Sequence, residues 1–126
     1  LKSGDHDYVR TDIAEVVKAT PNVEHKVILE TCYLTQQEKR TACHLVIEAG
    51  ADYVKTSTGF GAAGATVDDV RLLKETVAGR VKVKASGGIR DWKTTLAMLE
   101  AGADRIGTSA SLKILDEWRT AIHKRT

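Results

Sequence analysis

Apolar residues recur at helical spacing from Asp7 to Thr20, and Pro21 ends that pattern. A short, largely β-branched run from Lys26 to Thr31 then predicts a buried strand. Strand and helix patterns alternate along the rest of the chain. The further predicted strands are Asp52–Thr56, Val81–Ala85 and Arg105–Thr108. The further predicted helices run from a capping box at Thr35 to Ala49, from a cap at Thr66 to Val77, from Asp91 to Ala101 and from Ser109 to Lys124.

This alternation predicts a parallel α/β sheet with its helices outside, which fits either an open doubly wound sheet or part of a barrel. An internal repeat favours the barrel, because residues 48–57 (EAGADYVKTS) resemble residues 100–109 (EAGADRIGTS). A generic helix-to-strand turn is the alternative explanation of the repeat. A whole TIM barrel needs about 250 residues, whereas this chain has 126. We therefore predict one domain over residues 1–126, a half-barrel of the TIM (β/α)8 family with four βα units preceded by one helix.

Composition narrows the classes of function. A hydrophobic fraction of 42% and a charged fraction of 29% are typical of a folded globular protein. The net charge of +2 is spread along the chain, so no nucleic-acid partner is expected. No apolar run approaches the length of a membrane span, and we expect a cytoplasmic protein with no membrane partner. Cys32 and Cys43 show no metal-binding spacing, and reduced thiols are favoured over the disulfide that their number also allows.

Two lysines lie near the carboxyl ends of neighbouring predicted strands, Lys55 in YVKTST and Lys84 in VKVKAS. Side chains alternate along a strand, so Val81 and Val83 should face the helices while Lys84 faces the barrel interior beside Lys55. Burial and a neighbouring ammonium group both lower the pKa of a lysine, which allows its amine to form a Schiff base at neutral pH. The alternative is that each lysine pairs with an acid such as Glu30.

Small residues follow three of the strands, in the segments 57–59, 86–88 and 107–109. Backbone N–H groups and hydroxyls at strand ends, two of them leading into helix N-termini, are suited to binding an anion. Barrels commonly bind phosphate beyond their last two strands. Ordinary turn chemistry is the alternative explanation.

The motifs VKTSTGF, GATVDDVRLLKETV and VKASGGIRDWKTTLAMLEAGADRIGTSASLKIL closely resemble the C-terminal half of the deoxyribose-phosphate aldolase family. The resemblance covers nearly the whole chain. It implies a TIM barrel that reversibly cleaves 2-deoxy-D-ribose 5-phosphate into D-glyceraldehyde 3-phosphate and acetaldehyde, with no cofactor and no metal. The implied partner is thus a small phosphorylated sugar or aldehyde.

The resemblance also implies roles for individual residues. Lys55 stands at the Schiff-base position, and Lys84 stands at the second lysine, which depresses the pKa of the first. Phe60 and Ala110 depart from members that carry Lys and Ser there. The positions lining the phosphate and substrate pocket are Thr58, Gly59, Gly87, Gly88, Gly107 and Ser109.

The family also carries a proton-transferring aspartate on a strand upstream of LKSGD, and nothing in this chain corresponds to it. A half-barrel exposes two sheet edges, so we expect a homodimer or association with the missing N-terminal half, and poor turnover by this chain alone. The alternative function is a non-catalytic, phosphate-binding half-barrel scaffold in which the lysines act electrostatically.

Overall fold

The computed structural model describes residues 5–57 and 64–125, and these residues form five α-helices and four strands. A single 3-10 turn, Thr31–Tyr33, follows the first strand. In chain order the elements are α1 (His6–Ala19), β1 (Lys26–Ile28), α2 (Gln36–Ala49), β2 (Tyr53–Lys55), α3 (Val67–Val77), β3 (Lys82–Ser86), α4 (Trp92–Ala101), β4 (Arg105–Gly107) and α5 (Ser111–Arg125).

The four strands form one parallel sheet in the order β1-β2-β3-β4. The helices contact one another in the same sequence, from α1 to α5, so they form one layer against the sheet. Within the described residues, β1 and β4 each pair with only one strand. This stepwise arrangement confirms the predicted alternation of strands and helices.

The sheet buries one face beneath the helices. Val54, Val83 and Ala85 are fully buried there. The helix residues in the same core include Val46, Val70, Leu73, Val77 and Met98. We call the opposite side the inner face, and its residues are Lys26, Ile28, Tyr53, Lys55, Lys82, Lys84, Ser86, Arg105 and Gly107. The predicted alternation of valines and lysines in β3 is therefore correct.

Helix ends follow the predicted capping chemistry. Thr35 and Glu38 form a capping box at the start of α2, in which each side chain bonds the backbone N–H of the other residue. Gly50 and Gly102 end α2 and α4 in the left-handed conformation, with φ of 84° and 118°. In the described part of the chain, no helix combines the length and apolar character needed to cross a bilayer.

The internal repeat has a structural purpose at the entry of two strands. The Asp52 carboxylate accepts a hydrogen bond from the backbone N–H of His25 at 2.8 Å, just before β1. The Asp104 carboxylate accepts one from the backbone N–H of Val83 in β3 at 2.9 Å. Each aspartate thus bonds the backbone of the preceding strand and fixes the register between the two.

Two predicted boundaries differ from the structure by more than one residue, and several others differ by one. The first strand ends at Ile28 instead of Thr31, because Glu30 adopts a left-handed conformation with φ of 52° and the chain then makes the 3-10 turn. The last helix begins at Ser111 instead of Ser109. There, the Thr108 hydroxyl accepts a bond from the backbone N–H of Ala110, which keeps this segment outside the helix.

A buried ion pair joins α2 to α3. The Lys39 ammonium lies 2.5 Å from the Asp69 carboxylate, and each side chain is only 10% exposed. Asp69 also sits in the first turn of α3, where Thr66 caps its backbone N–H. The sequence analysis did not identify this pair, because its two members lie in separate amphipathic patterns.

Both cysteines are free thiols, and they differ in environment. Cys43 is fully buried, and this burial raises the pKa of its thiol from 9.0 to about 12. Cys32 is only partly buried. In the unfolded chain this thiol has its ordinary pKa of 9.0, so above pH 9 its ionisation increasingly favours the unfolded state. The contribution of Cys43 to the free energy of unfolding is therefore fully present below pH 9 and is lost as the pH rises toward 12.

We therefore expect an alkylating reagent near pH 8 to modify Cys32 in the folded protein while Cys43 stays largely unmodified, since only the thiolate reacts. Mass spectrometry of the digested protein measures both sites. In denaturant the two should react at similar rates, which is the control. Equal rates in the folded protein would contradict the burial of Cys43.

Candidate active site

Lys55 and Lys84 lie side by side at the carboxyl end of the sheet. Strands β2 and β3 pair Lys55 with Lys84, as they pair Val54 with Val83 one residue earlier. The valines face the helices, so both lysines project from the inner face, where each is half-buried. The structure therefore brings together the two lysines that the sequence analysis selected.

The pKa of Lys84 is lowered from its ordinary value. Burial of the amine is the largest cause, followed by repulsion from Lys26, Lys55 and Arg105, while the Glu24 carboxylate acts in the opposite direction. The Lys84 amine is therefore neutral over a wider pH range than that of a free lysine. Glu24 is an acid that acts on this lysine. The sequence analysis considered Glu30 for that role and did not consider Glu24.

Gly107 leaves the space that the Lys84 side chain occupies. A Cβ atom at position 107 would lie 3.1 Å from Lys84 Cε and 3.0 Å from Ser86 Cβ. Both distances are tighter than ordinary van der Waals contacts. The sequence analysis predicted Gly107 as a pocket residue from the family resemblance. The structure shows that a side chain at this position would crowd the Lys84 side chain.

Buried hydroxyls connect the carboxyl ends of β2 and β3. The Thr56 hydroxyl donates to the carbonyl of Ser86 at 3.0 Å and accepts from the backbone N–H of Ser86 at 3.1 Å. The Ser86 hydroxyl donates to the carbonyl of Ser57 at 2.5 Å. The sequence analysis gave the side chains of Thr56 and Ser86 no such role. The sequence feature that could have indicated this role is the presence of polar residues directly after two buried strands.

The segment before α3 packs against the loop after β3 through two glycines. A Cβ atom on Gly64 would lie 2.1 Å from the carbonyl oxygen of Gly87, so no side chain fits there. The backbone N–H of Ala65 donates to the carbonyls of Ser86 and Gly87 at 3.1 and 3.0 Å. The loops that follow β2 and β3 are thus held directly against each other.

The remaining predicted pocket residues lie near this edge. Gly88 has a φ of 74°, and the space where its side chain would project is open. Ser109 is exposed in the loop after β4. The Thr108 hydroxyl donates to the carbonyl of Ile89, which joins that loop to the one after β3. The structure thus brings the loops of Gly87–Gly88 and Ser109 together.

Thr58, Gly59 and Phe60 lie outside the described residues. Within residues 5–57 and 64–125, no group of three or more His, Cys, Asp or Glu side chains is placed to hold a metal ion.

Comparisons with known proteins agree with this architecture. Residues 1–117 match the family described as DeoC/LacD family aldolase. The chain is 60% identical over 121 residues to the deoxyribose-phosphate aldolase of Thermoanaerobacter sp. (strain X514), covering 94% of this chain and 54% of that protein. It is 58% identical over 123 residues to the enzyme of the same name from Thermococcus gammatolerans, covering 96% and 55%.

Solved structures show the same fold. The aldolase QR15 superimposes with a TM-score of 0.91 at 50% identity, covering 96% of this chain and 55% of that one. The deoxyribose phosphate aldolase of Aeropyrum pernix, described as tetrameric, superimposes with a TM-score of 0.86 at 33% identity, covering 92% and 51%. The chain thus spans about half the length of the relatives it matches, and the predicted half-barrel of the TIM-barrel class is confirmed. By its sequence match and its fold, the chain belongs to the DeoC/LacD family of aldolases.

Proposed function

We propose that this chain carries the Schiff-base half of a class I aldolase that cleaves 2-deoxy-D-ribose 5-phosphate into D-glyceraldehyde 3-phosphate and acetaldehyde. The observation that carries the proposal is the pairing of Lys55 with Lys84 on the inner face, directly below the glycine-containing loops. Two relatives more than half identical to this chain are named for that substrate.

In the proposed reaction, Lys55 is the nucleophile. A lysine amine is normally protonated at neutral pH, so it must lose a proton before it can attack a carbonyl. The neighbouring Lys84 has a lowered pKa and, when neutral, can accept that proton. The Lys55 nitrogen then adds to C1 of the open-chain sugar, and loss of water leaves a protonated imine.

The imine draws the electrons of the C2–C3 bond toward nitrogen as that bond breaks. The C3 hydroxyl loses its proton and C3 becomes the aldehyde of D-glyceraldehyde 3-phosphate. The enamine left on Lys55 takes a proton at C2, and water then releases acetaldehyde. The family resemblance implies that an aspartate upstream of residue 1 moves the proton of the hydroxyl, so we assign that step to no residue of this chain.

The phosphate group is proposed to bind at the loops after β3 and β4. Gly87 and Gly88 both have positive φ, of 91° and 74°, and the space beyond Gly88 is open. Ser109 is exposed beside them and Gly107 lies below. Backbone N–H groups at such positions suit an anion. Thr58 and Gly59 complete the proposed pocket by resemblance.

We also propose that the protein is cytoplasmic and that it functions as part of an assembly. The two free thiols support a reducing compartment. Among the described residues the outer edges of β1 and β4 pair with no strand, which supports association either with a second copy or with a segment that completes the barrel. The inner face favours the second, because Lys26, Lys82 and Arg105 would face like charges across a dimer closed upon that face.

Borohydride trapping with 2-deoxyribose 5-phosphate, followed by peptide mapping, tests the function. We expect a reduced adduct on Lys55 that is lost in Lys55→Ala and weakened in Lys84→Ala. Lys82→Ala is the matched control, since Lys82 lies on the same face and strand as Lys84 but one layer lower, and it should leave the adduct unchanged.

An adduct that persists in Lys55→Ala, or one that maps to Lys82, would contradict the assigned nucleophile. If the folded chain forms no adduct but is protected by the ligand against unfolding, the phosphate-binding scaffold is the better description.

A further inference from the structure

Three cations surround the ring of Tyr53, which lies on the inner face one layer below Lys55. The nitrogens of Lys26 and Lys82 are 5.7 and 5.8 Å from the ring centroid, and the Arg105 guanidinium carbon is 4.9 Å from it. The tyrosine is only 1% exposed. Cations over an aromatic face are attracted by its quadrupole, so the ring holds three positive charges close together.

Arg105 connects the Tyr53 ring to the lysine pair in the row above. Strands β3 and β4 pair it with Lys84, so Lys55, Lys84 and Arg105 occupy one row across three strands. The carboxylate of Glu24 accepts a hydrogen bond from Arg105 at 2.8 Å and lies 3.6 Å from the nitrogen of Lys26. Arg105 is therefore held between an aromatic ring and an acid.

We propose that Arg105 and Glu24 are positioning residues that act in opposite directions on the proton of the Lys84 amine, Arg105 promoting its loss and Glu24 its retention. This inference deepens the proposed function. It rests on that function only for the step in which Lys84 accepts a proton from Lys55. Neither residue needs to touch the substrate, since both act through the charge they present to the amine.

The charges facing Lys84 come from the other three strands and from the segment before β1. They are Lys26 from β1, Lys55 from β2, Arg105 from β4 and Glu24 before β1, whereas Lys82 lies one row lower on β3 and is exposed to solvent. The pKa of Lys84 is lowered by burial first, and then by Lys26, Lys55 and Arg105, while Glu24 raises it.

Arg105 differs from the other cations in this group because its guanidinium does not lose its proton. Its repulsion therefore persists over the whole range in which the lysines titrate. The Arg105 and Glu24 side chains are 49% and 42% exposed. Water and salt screen their charges, so each should adjust the protonation of Lys84 without dominating it.

The test measures the Lys84 proton directly and requires no substrate. Trace acetylation with acetic anhydride, which reacts only with neutral amines, is carried out from about pH 6 to about pH 11, a range that brackets lysine titration. Peptide mapping by mass spectrometry then gives the extent of labelling at Lys84. The exposed Lys18 on α1 serves as the internal reference for reagent reactivity.

We expect the midpoint of Lys84 labelling to move to higher pH in Arg105→Gln and to lower pH in Glu24→Gln. Arg105→Lys keeps the charge and should stay close to the parent midpoint wherever the new lysine is protonated. Opposite shifts are the signature of electrostatic action, because both glutamine variants break the same ion pair and a structural effect would move Lys84 in one direction.

Two results would overturn the inference. One is an unchanged Lys84 midpoint in Arg105→Gln when circular dichroism shows the parent fold. The other is a shift of the same sign in both glutamine variants. If Arg105→Gln does not fold, the Lys84 labelling midpoint in Glu24→Gln tests the inference alone. A shift to lower pH supports the inference, and any other result overturns it. A failed aldolase assay would leave these labelling results intact, so the two proposals fail separately.

Discussion

Asp69→Asn is expected to lower the free energy of unfolding by about 3–5 kcal/mol, because removal of one member of a buried ion pair leaves the other charge without compensation. Lys39 and Asp69 are each about one-tenth exposed and lie 2.5 Å apart between α2 and α3. The substitution leaves the backbone N–H of residue 69 bonded to Thr66, so the helix cap is preserved. Urea unfolding followed by circular dichroism measures the loss.

Asp68→Asn is the matched control for this experiment. Asp68 is the preceding residue on the same helix, but its side chain is 91% exposed and lies 3.8 Å from Arg71. Exposed ion pairs of this kind contribute about 0–1 kcal/mol, so little change is expected. A double variant, Lys39→Met with Asp69→Leu, should recover much of the stability that Asp69→Asn loses. Equal losses in Asp68→Asn and Asp69→Asn would show that burial of the pair has no effect.

Gly87→Ala is expected to be the second strongly destabilising substitution. Gly87 has a φ of 91°, and a left-handed backbone costs a residue with a side chain about 1–3 kcal/mol. A Cβ atom would also lie 2.9 Å from Gly64 Cα and 3.3 Å from Ser57 Cβ. Such overpacking costs about 1–3 kcal/mol more, so thermal and urea unfolding should show a combined loss of about 2–6 kcal/mol.

The neighbouring glycine separates the two contributions. Gly88 has a φ of 74°, but a Cβ atom there would meet nothing within 4 Å. Gly88→Ala should therefore show the backbone cost alone. The difference between the two alanine variants then measures the contact between the loops after β2 and β3. If Gly88→Ala destabilises the protein as much as Gly87→Ala does, the close approach at Gly64 does not contribute.

Much of the fold followed from local chemistry that is visible in the sequence. The capping box at Thr35 and the glycines at 50 and 102 lie where the pattern put them. The alternation in VKVKAS was enough to place Val83 under the helices and Lys84 on the inner face. Neighbouring strands in a parallel sheet align their carboxyl ends, so the adjacency of Lys55 and Lys84 was also predictable.

Features that depend on distant residues meeting in space were not predictable from the pattern. Lys39 and Asp69 are 30 residues apart, and each looks like an ordinary helix surface charge. Glu24 and Arg105 are 81 residues apart and belong to no shared motif. The close approach of Gly64 to Gly87 depends on the path of two loops, which a Gly-Ala sequence leaves undetermined. The end of β1 was missed because no sequence rule predicts a left-handed Glu30.

The two aspartates of the internal repeat have a consequence for the charges around Lys84, although both lie at the opposite end of the sheet. Asp52 and Asp104 each fasten a strand to the one before it, and side chains in a strand change face at every residue. A slip of one position between β3 and β4 would turn Arg105 away from the row of Lys84, and one between β1 and β2 would turn Lys26 away from Tyr53. The carboxylates at the amino ends of β2 and β4 therefore align the strands on either side of the amine pair, and they keep the charged neighbours of Lys84 on the inner face.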